Sequence, residues 1–191
     1  VRGTIGKRVE RVDMTSSANR TTVRVVLPNG GSWTNTSEAH LKIHVPQKSA
    51  LEVSLVSADL RIGGVSGNQR LQTVSGDIHG DGGSGDLQVN TVSGDVQMVA
   101  HHGHNAQLKT VSGDLNVSGT GGDVQLNSVS GDANLMLDSV TRVHLETVSG
   151  DVNVTTSALA ANGQLDADSV SGDVNLHVAA VPDADIDVQS F

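Results

Sequence analysis

The chain has 191 residues, a formal net charge of −9 and 12 basic residues, which do not cluster. This charge argues against nucleic acid and anionic membranes as partners, and the apolar runs are too short for direct membrane insertion. Cysteine is absent and aromatic residues make up 1% of the sequence, so neither thiolate metal sites nor aromatic-lined ligand pockets are expected, and no cofactor is predicted.

The opening region, residues 1–50, is strand-like but carries no repeat. Apolar and polar residues alternate before a Pro-Asn-Gly-Gly turn that starts at Pro28, and again from Leu41 to Val45, before Pro46. This pattern predicts irregular opening rungs or an N-terminal β cap. A cap is expected because the uncovered end of a repeat stack offers unpaired backbone groups to other chains.

Residues 51–191 carry a repeated phrase and form the predicted repeat body, one continuous domain. Val-Ser-Gly-Asp occurs six times, and Val-Ser-Ala-Asp precedes these copies once. Successive aspartates are separated by 18, 18, 19, 18, 19 and 22 residues. A fixed phrase at a fixed period indicates a repeat architecture in which each unit stacks on the next. The phrase ends at Asp59, Asp77, Asp95, Asp114, Asp132, Asp151 and Asp173.

Each repeat has two arms of different character. The arm that enters the Val-Ser-Gly-Asp phrase keeps its length, whereas the arm that leaves it varies from nine residues (Asp77 to Asp86) to thirteen (Asp151 to Gln164). Within the arms, apolar and polar residues alternate, as in Leu87, Val89 and Thr91, which is typical of short β-strands. The predicted fold is therefore all-β: a single-stranded β-solenoid (β-helix) with two short strands per rung of about 18 residues. An antiparallel sandwich explains the fixed corner register less well.

Several of these features resemble a known bacterial family. They are Gly6-Lys7-Arg8-Val9-Glu10-Arg11-Val12-Asp13 near the start, a strand ending in Val45-Pro46, Leu51-Glu52-Val53 and the serial Ser-Gly-Asp phrases. Together they resemble the β-strand-repeat family described as adhesin-like and of unknown function. The resemblance implies an exported protein of the periplasm, cell envelope or extracellular space, with no known catalytic residues. The chain begins at Val1 and not at Met, which is compatible with removal of an export segment.

The repeated aspartates raise the question of cation binding. Stacked carboxylates repel one another, so they need hydrogen bonds to the N–H groups of the Ser-Gly turn, exposure to solvent, or bound cations. Gly82-Gly83-Ser84-Gly85-Asp86 comes near the motif of a calcium-binding β-roll, but its aspartate is one position early. The other corners supply one carboxylate each, whereas calcium takes six or more oxygens. We therefore expect a structural column, with a calcium-stabilised β-roll as an alternative.

Three histidines at one edge form the second candidate site. His101, His102 and His104 could bind zinc or nickel. No carboxylate adjoins them, and neighbouring residues on a strand point to opposite faces. A solvated loop is the preferred interpretation, and the metal site is the alternative.

An enzyme is expected less than a binding module. A carbohydrate-active β-helix enzyme would need paired carboxylates that interrupt the repeat, yet here the carboxylates belong to the repeat. Asp166 and Asp168 lie two residues apart on an outward face and are the nearest approach to such a pair.

The outward positions lead to the functional prediction. Stacked asparagines and glutamines should form amide ladders that stiffen flat sheets. Insertions in repeat proteins gather on the binding face. The edge formed by the leaving arms, whose length varies, is therefore the candidate interaction edge. Together with the export that the family resemblance implies, these features predict a non-enzymatic, exported structural or interaction module that binds an unknown protein or surface polysaccharide. The candidate residues on this edge are His101, His102, His104, Thr155, Leu159 and Asn162.

Overall fold

The computed structural model describes residues 2–5, 10–17, 20–26, 39–180 and 184–190, and every regular element in these ranges is a β-strand. The side chains of 2–5, 39, 101–104, 184 and 190 lie outside the description. The chain divides into two compact units, Val1–Val45 and Pro46–Phe191.

The described residues of the first unit form four strands in two antiparallel pairs: β1 (Arg2–Ile5) pairs with β4 (Ala39–Lys42), and β2 (Arg11–Ser16) pairs with β3 (Thr21–Val26). The β2–β3 pair is a hairpin closed by a hydrogen bond from the Ser17 amide to the Arg20 carbonyl. The predicted turn at 28–31 lies outside the described residues. These strands pair antiparallel, whereas the strands of the repeat body pair parallel. A capping role for this unit remains a prediction.

Eleven strands are described in the second unit, and every pair among them is parallel. The strands are β5 (Leu51–Ser57), β6 (Leu60–Ile62), β7 (Gln69–Ser75), β8 (Ile78–Gly83), β9 (Leu87–Ser93), β10 (Val96–Ser112), β11 (Leu115–Ser130), β12 (Ala133–Ser149), β13 (Val152–Ser171), β14 (Val174–Val178) and β15 (Ala184–Ser190).

These strands form a parallel β-solenoid of about seven turns, which confirms the predicted fold class. The entering sheet contains the segments that lead into the repeated phrase, which are β5, β7, β9 and the second halves of β10 to β13, and it ends with β15, which pairs with β13. The leaving sheet contains β6, β8, the first halves of β10 to β13, and β14. From β10 to β13 a single strand of 16–20 residues bends through both arms. In these rungs the strand is therefore interrupted only at the Ser-Gly-Asp corner.

Alternation places the core between the two sheets, as the sequence predicts. Leu87, Val89 and Thr91 are buried, while Gln88 and Asn90 are half-buried on the outer face. Each apolar position stacks on its counterpart in the next rung, as Leu108 does on Leu126. Full burial of such a side chain contributes about 1.5–3 kcal/mol, so every rung carries its own share of the stability.

Candidate functional site

The Val-Ser-Gly-Asp phrases stack into one edge of the solenoid, which we call the corner edge. The residues that follow successive aspartates are register partners: Val96 with Leu115, Leu115 with Ala133, and Ala133 with Val152. This register confirms the prediction that Asp95, Asp114 and Asp132 form one column.

Glycine at the corner edge is required by close approach between rungs. Gly113 has a φ of 129°, and a Cβ built on it would lie 2.4 Å from the Gly94 carbonyl oxygen. A side chain of any other residue would meet this backbone atom and would also occupy an unfavourable backbone conformation. The same close approach, at 2.2–2.4 Å, recurs at Gly76, Gly94, Gly131, Gly150 and Gly172.

The one non-glycine residue at this position lies in the first rung. Ala58 replaces glycine in the Val-Ser-Ala-Asp phrase, and a Cβ on Gly76 would lie 2.2 Å from the Ala58 carbonyl oxygen. Among the described residues, β5 pairs with β7 alone and β6 with β8 alone, so no earlier rung meets the Ala58 side chain. The sequence variant therefore coincides with the beginning of the stack.

The aspartates form a ladder of hydrogen bonds that runs from rung to rung. The backbone N–H of Asp114 donates to Oδ1 of Asp95 at 3.0 Å, and the N–H of Asp132 donates to Oδ1 of Asp114 at 3.0 Å. The same bond recurs at 2.9–3.1 Å throughout the column from Asp59 to Asp173. The expected donors were amides of the Ser-Gly turn. The structure corrects this expectation, because the donor is the aspartate amide of the following rung.

The aspartate ladder bears on whether the stacked carboxylates need a bound cation. Each aspartate from Asp59 to Asp151 directs one carboxylate oxygen to a backbone amide, an interaction that compensates for crowding of negative charge. Within the described residues, no group of three or more histidine, aspartate or glutamate side chains is arranged to hold a metal ion. The side chains of His101, His102 and His104 lie outside that description.

The corner valine is exposed in every rung, a feature that the sequence analysis missed. Exposure is 46% at Val92, 47% at Val111 and 47% at Val129. Alternation could have revealed it, because Thr91 points inward and the next residue must then point outward. We call this set of exposed residues the valine column: Val56, Val74, Val92, Val111, Val129, Val148 and Val170.

Amide ladders run along the outer faces of both sheets, as predicted. On the entering sheet, Gln88 donates to Gln107 at 3.0 Å and Gln107 donates to Gln125 at 3.1 Å. The leaving sheet carries the equivalent ladder, with bonds of 3.1–3.3 Å along the series Asn116, Asn134, Asn153 and Asn175. These bonds link successive rungs through side chains as well as backbone.

The edge opposite the corner edge, the variable edge, absorbs differences in length. Register shifts occur between Val99 and Asn105, between Ser118 and Asp123, and between Val140 and Arg142. The entering arms of these rungs carry no such shift. The prediction that length variation is confined to one edge is thus confirmed for these rungs.

The predicted interaction residues of the variable edge have different environments. Thr155 and Asn162 are exposed, and Asn162 has a φ of 60°. Leu159 is 1% exposed and packs in the core. Its assignment to an interaction surface is therefore wrong, because the thirteen-residue arm returns an apolar residue to the interior. His101, His102 and His104 lie on strand β10 by backbone, which corrects the interpretation of this segment as a loop.

The acidic pair considered for catalysis lies on the outer face of the entering sheet. Asp166 and Asp168 are both exposed, and Asp187 is the register partner of Asp166 on β15. The two carboxylates follow the same alternation as the polar residues of other rungs. A catalytic role for them thus gains no support from position alone.

The parallel pairing, the two sheets and the corner edge define the molecule as a β-solenoid repeat protein. The sequence profile of the Toastrack DUF4097 family matches residues 6–187, and the chain belongs to this family, which has no characterised function. Searches of curated proteins and of solved structures found no match. The residues that the structure describes contain no candidate membrane-spanning helix.

Proposed function

We propose that this chain is a non-enzymatic structural and interaction module of an exported or cell-envelope protein. The observation that carries the proposal is the valine column, a continuous row of exposed apolar side chains on a surface that is otherwise largely polar. Contiguous exposed apolar surface commonly marks an interaction site. Its partner would be a protein or a surface polysaccharide.

Rigidity is the second part of the proposal. Backbone pairing, the aspartate ladder and the amide ladders all link the same successive rungs. A side chain on one rung is therefore held at a fixed distance from its counterpart on the next. Such a scaffold suits the presentation of an extended surface.

Two measurements test this function. Fractionation of source cells, followed with an antibody against the chain, is expected to place the full-length protein in the envelope or secreted fraction. Recombinant chain should also bind isolated envelopes saturably in a sedimentation assay. Recovery in the cytosol alone, or absence of saturable binding, would contradict the proposal.

The enzymatic alternative has its own readout. The chain is incubated with a panel of envelope and extracellular polysaccharides, and newly formed reducing ends are measured. We expect no release above a heat-denatured control. Turnover that is lost in the Asp166→Asn/Asp168→Asn variant would instead establish a carbohydrate-active enzyme.

A further inference from the structure

The valine column has the dimensions of a docking stripe for a second polypeptide. It contains one valine per rung over seven rungs, and six intervals of about 4.8 Å give a length of about 29 Å. Exposure stays at 46–49% from Val74 to Val148. The stripe is thus continuous, regular and one side chain wide.

Strand stability alone does not explain an apolar residue at this position. Val56, at the start of the stack, is 74% exposed, and its counterparts inside the stack are 46–49% exposed, so neighbouring rungs cover part of each side chain. Threonine is also β-branched and well suited to strands, and it would stack similarly while remaining polar. The retained apolar surface is therefore better explained by a partner that covers it.

The charge beside the column limits the kind of partner. Three residues after each valine stands a corner aspartate, and Asp95, Asp114 and Asp132 are exposed. The Val-Ser-Gly-Asp phrase contains no basic residue. A second copy docking through the same edge would bring two acidic columns together, and a stripe one residue wide is narrow for the roughly 800 Å² per partner of a stable dimer. A partner with apolar and basic side chains side by side is complementary instead.

Spacing distinguishes between an extended and a helical partner. An extended strand repeats its same-face side chains about every 6.6–6.8 Å, which falls out of step with rungs about 4.8 Å apart within two or three rungs. A helix lying along the stripe returns the same face about every 5.4 Å, which stays much closer to the rung spacing. About 20 helical residues span the length of the column.

We propose that the valine column and the aspartate column together bind a cationic amphipathic helix. Its apolar side chains would pack on the valines, and lysine or arginine side chains along one flank would face the corner aspartates. An amphipathic helix presents such a face through side chains at i, i+3, i+4 and i+7. The inference rests on the proposed interaction function and names the surface and the partner class.

The experiment measures binding of fluorescent 20-residue peptides to the whole chain by anisotropy. The probe is an amphipathic leucine–lysine peptide, and the controls are a leucine–glutamate peptide of the same pattern and a scrambled leucine–lysine peptide. We expect saturable binding of the amphipathic cationic peptide alone, weakened at least about tenfold by 0.5 M salt, as exposed charge pairs are screened.

Three variants assign the binding to the proposed surface. Val92→Thr/Val111→Thr/Val129→Thr removes apolar area and should weaken binding at least about tenfold. Asp95→Asn/Asp114→Asn/Asp132→Asn keeps the acceptor oxygens and should weaken binding about fivefold while reducing the salt dependence. The matched control, Val99→Thr/Met136→Thr, changes exposed apolar residues of the leaving sheet and should leave the affinity within about twofold.

Several results would overturn the inference. They are absence of binding, equal binding of the scrambled peptide, an unchanged affinity in the valine variant, or valine-dependent binding of a polysaccharide in place of the peptide. Circular dichroism and thermal melts verify that each variant is folded. Failure here leaves the envelope-binding measurement as a separate result, so the proposed function and this inference are tested independently.

Discussion

The chain turns between the two sheets at both edges of the solenoid, but the two edges differ in structure. At the corner edge, Gly113 packs against the backbone of Gly94, and Asp114 bonds to Asp95 and to Asp132. At the variable edge the register shifts, as between Val140 and Arg142. The difference shows that the sequence and length of the corner edge are determined by contacts between rungs and not by the turn itself.

The largest expected effect comes from inserting one alanine at the corner edge. Between Ser112 and Gly113 the insertion would displace a glycine from its column and shift the following strand, because a one-residue slip exchanges the two faces of a strand. We expect a loss of about 4 kcal/mol or more in the free energy of unfolding, measured by urea titration.

The matched insertion lies between Thr141 and Arg142, which are exposed beside a register shift. It should cost less than about 1 kcal/mol, since surface connections tolerate added length. Equal losses at the two edges would show that the contrast between them has no energetic basis.

The second effect tests glycine at the corner directly. Gly113→Ala places a Cβ against the Gly94 carbonyl oxygen and strains a φ of 129°, so we expect a loss of about 3 kcal/mol. Gly63→Ala is the control, because the nearest atom to its Cβ would be Oδ2 of Asp81, at 3.9 Å. Denaturation midpoints of the two variants should differ clearly, and a tolerated Gly113→Ala would contradict the stacking argument.

The aspartate ladder gives the third effect, which separates hydrogen bonding from charge. Asp114→Ala removes the acceptor of the Asp132 amide and should cost about 1 kcal/mol, since water can replace the bond at this exposed corner. Asp114→Asn keeps an Oδ1 acceptor, as Asn68 does for the Asp86 amide at 3.2 Å, and should be neutral or slightly stabilising. Equal losses in chemical denaturation would show that the negative charge itself is required.

The sequence predicted those features that depend on short-range periodicity. Alternation placed Leu87 and Val89 in the core, and the fixed phrase placed Asp95, Asp114 and Asp132 in one column. It also predicted the amide ladders, because identical residues in a fixed register must stack. These predictions needed only the repeat and the two-residue period of a strand.

Other features depend on contacts between rungs or on irregular backbone. The donor to each aspartate lies 18–22 residues away along the chain, so the local turn does not reveal which amide it is. Leu159 lies in the longest leaving arm, yet it is buried because it pairs in register with the buried Val140 of the preceding rung. The valine column was overlooked because a valine in a strand is readily assigned to the core without checking its phase.

The smallest expected effect concerns the glutamine ladder on the entering sheet, which lies between the two edges. Gln107 accepts a hydrogen bond from Gln88 and donates one to Gln125, so Gln107→Ala breaks two links between rungs. Because the side chains are partly exposed, we expect a loss of about 0.5–1 kcal/mol in the free energy of unfolding, measured by urea titration. Gln97→Ala on the leaving sheet, an exposed glutamine outside this ladder, should change stability by less than about 0.5 kcal/mol. If the two variants were equally stable, stiffness would have to come from the backbone and the aspartate ladder, and the flat faces would be free to vary in sequence.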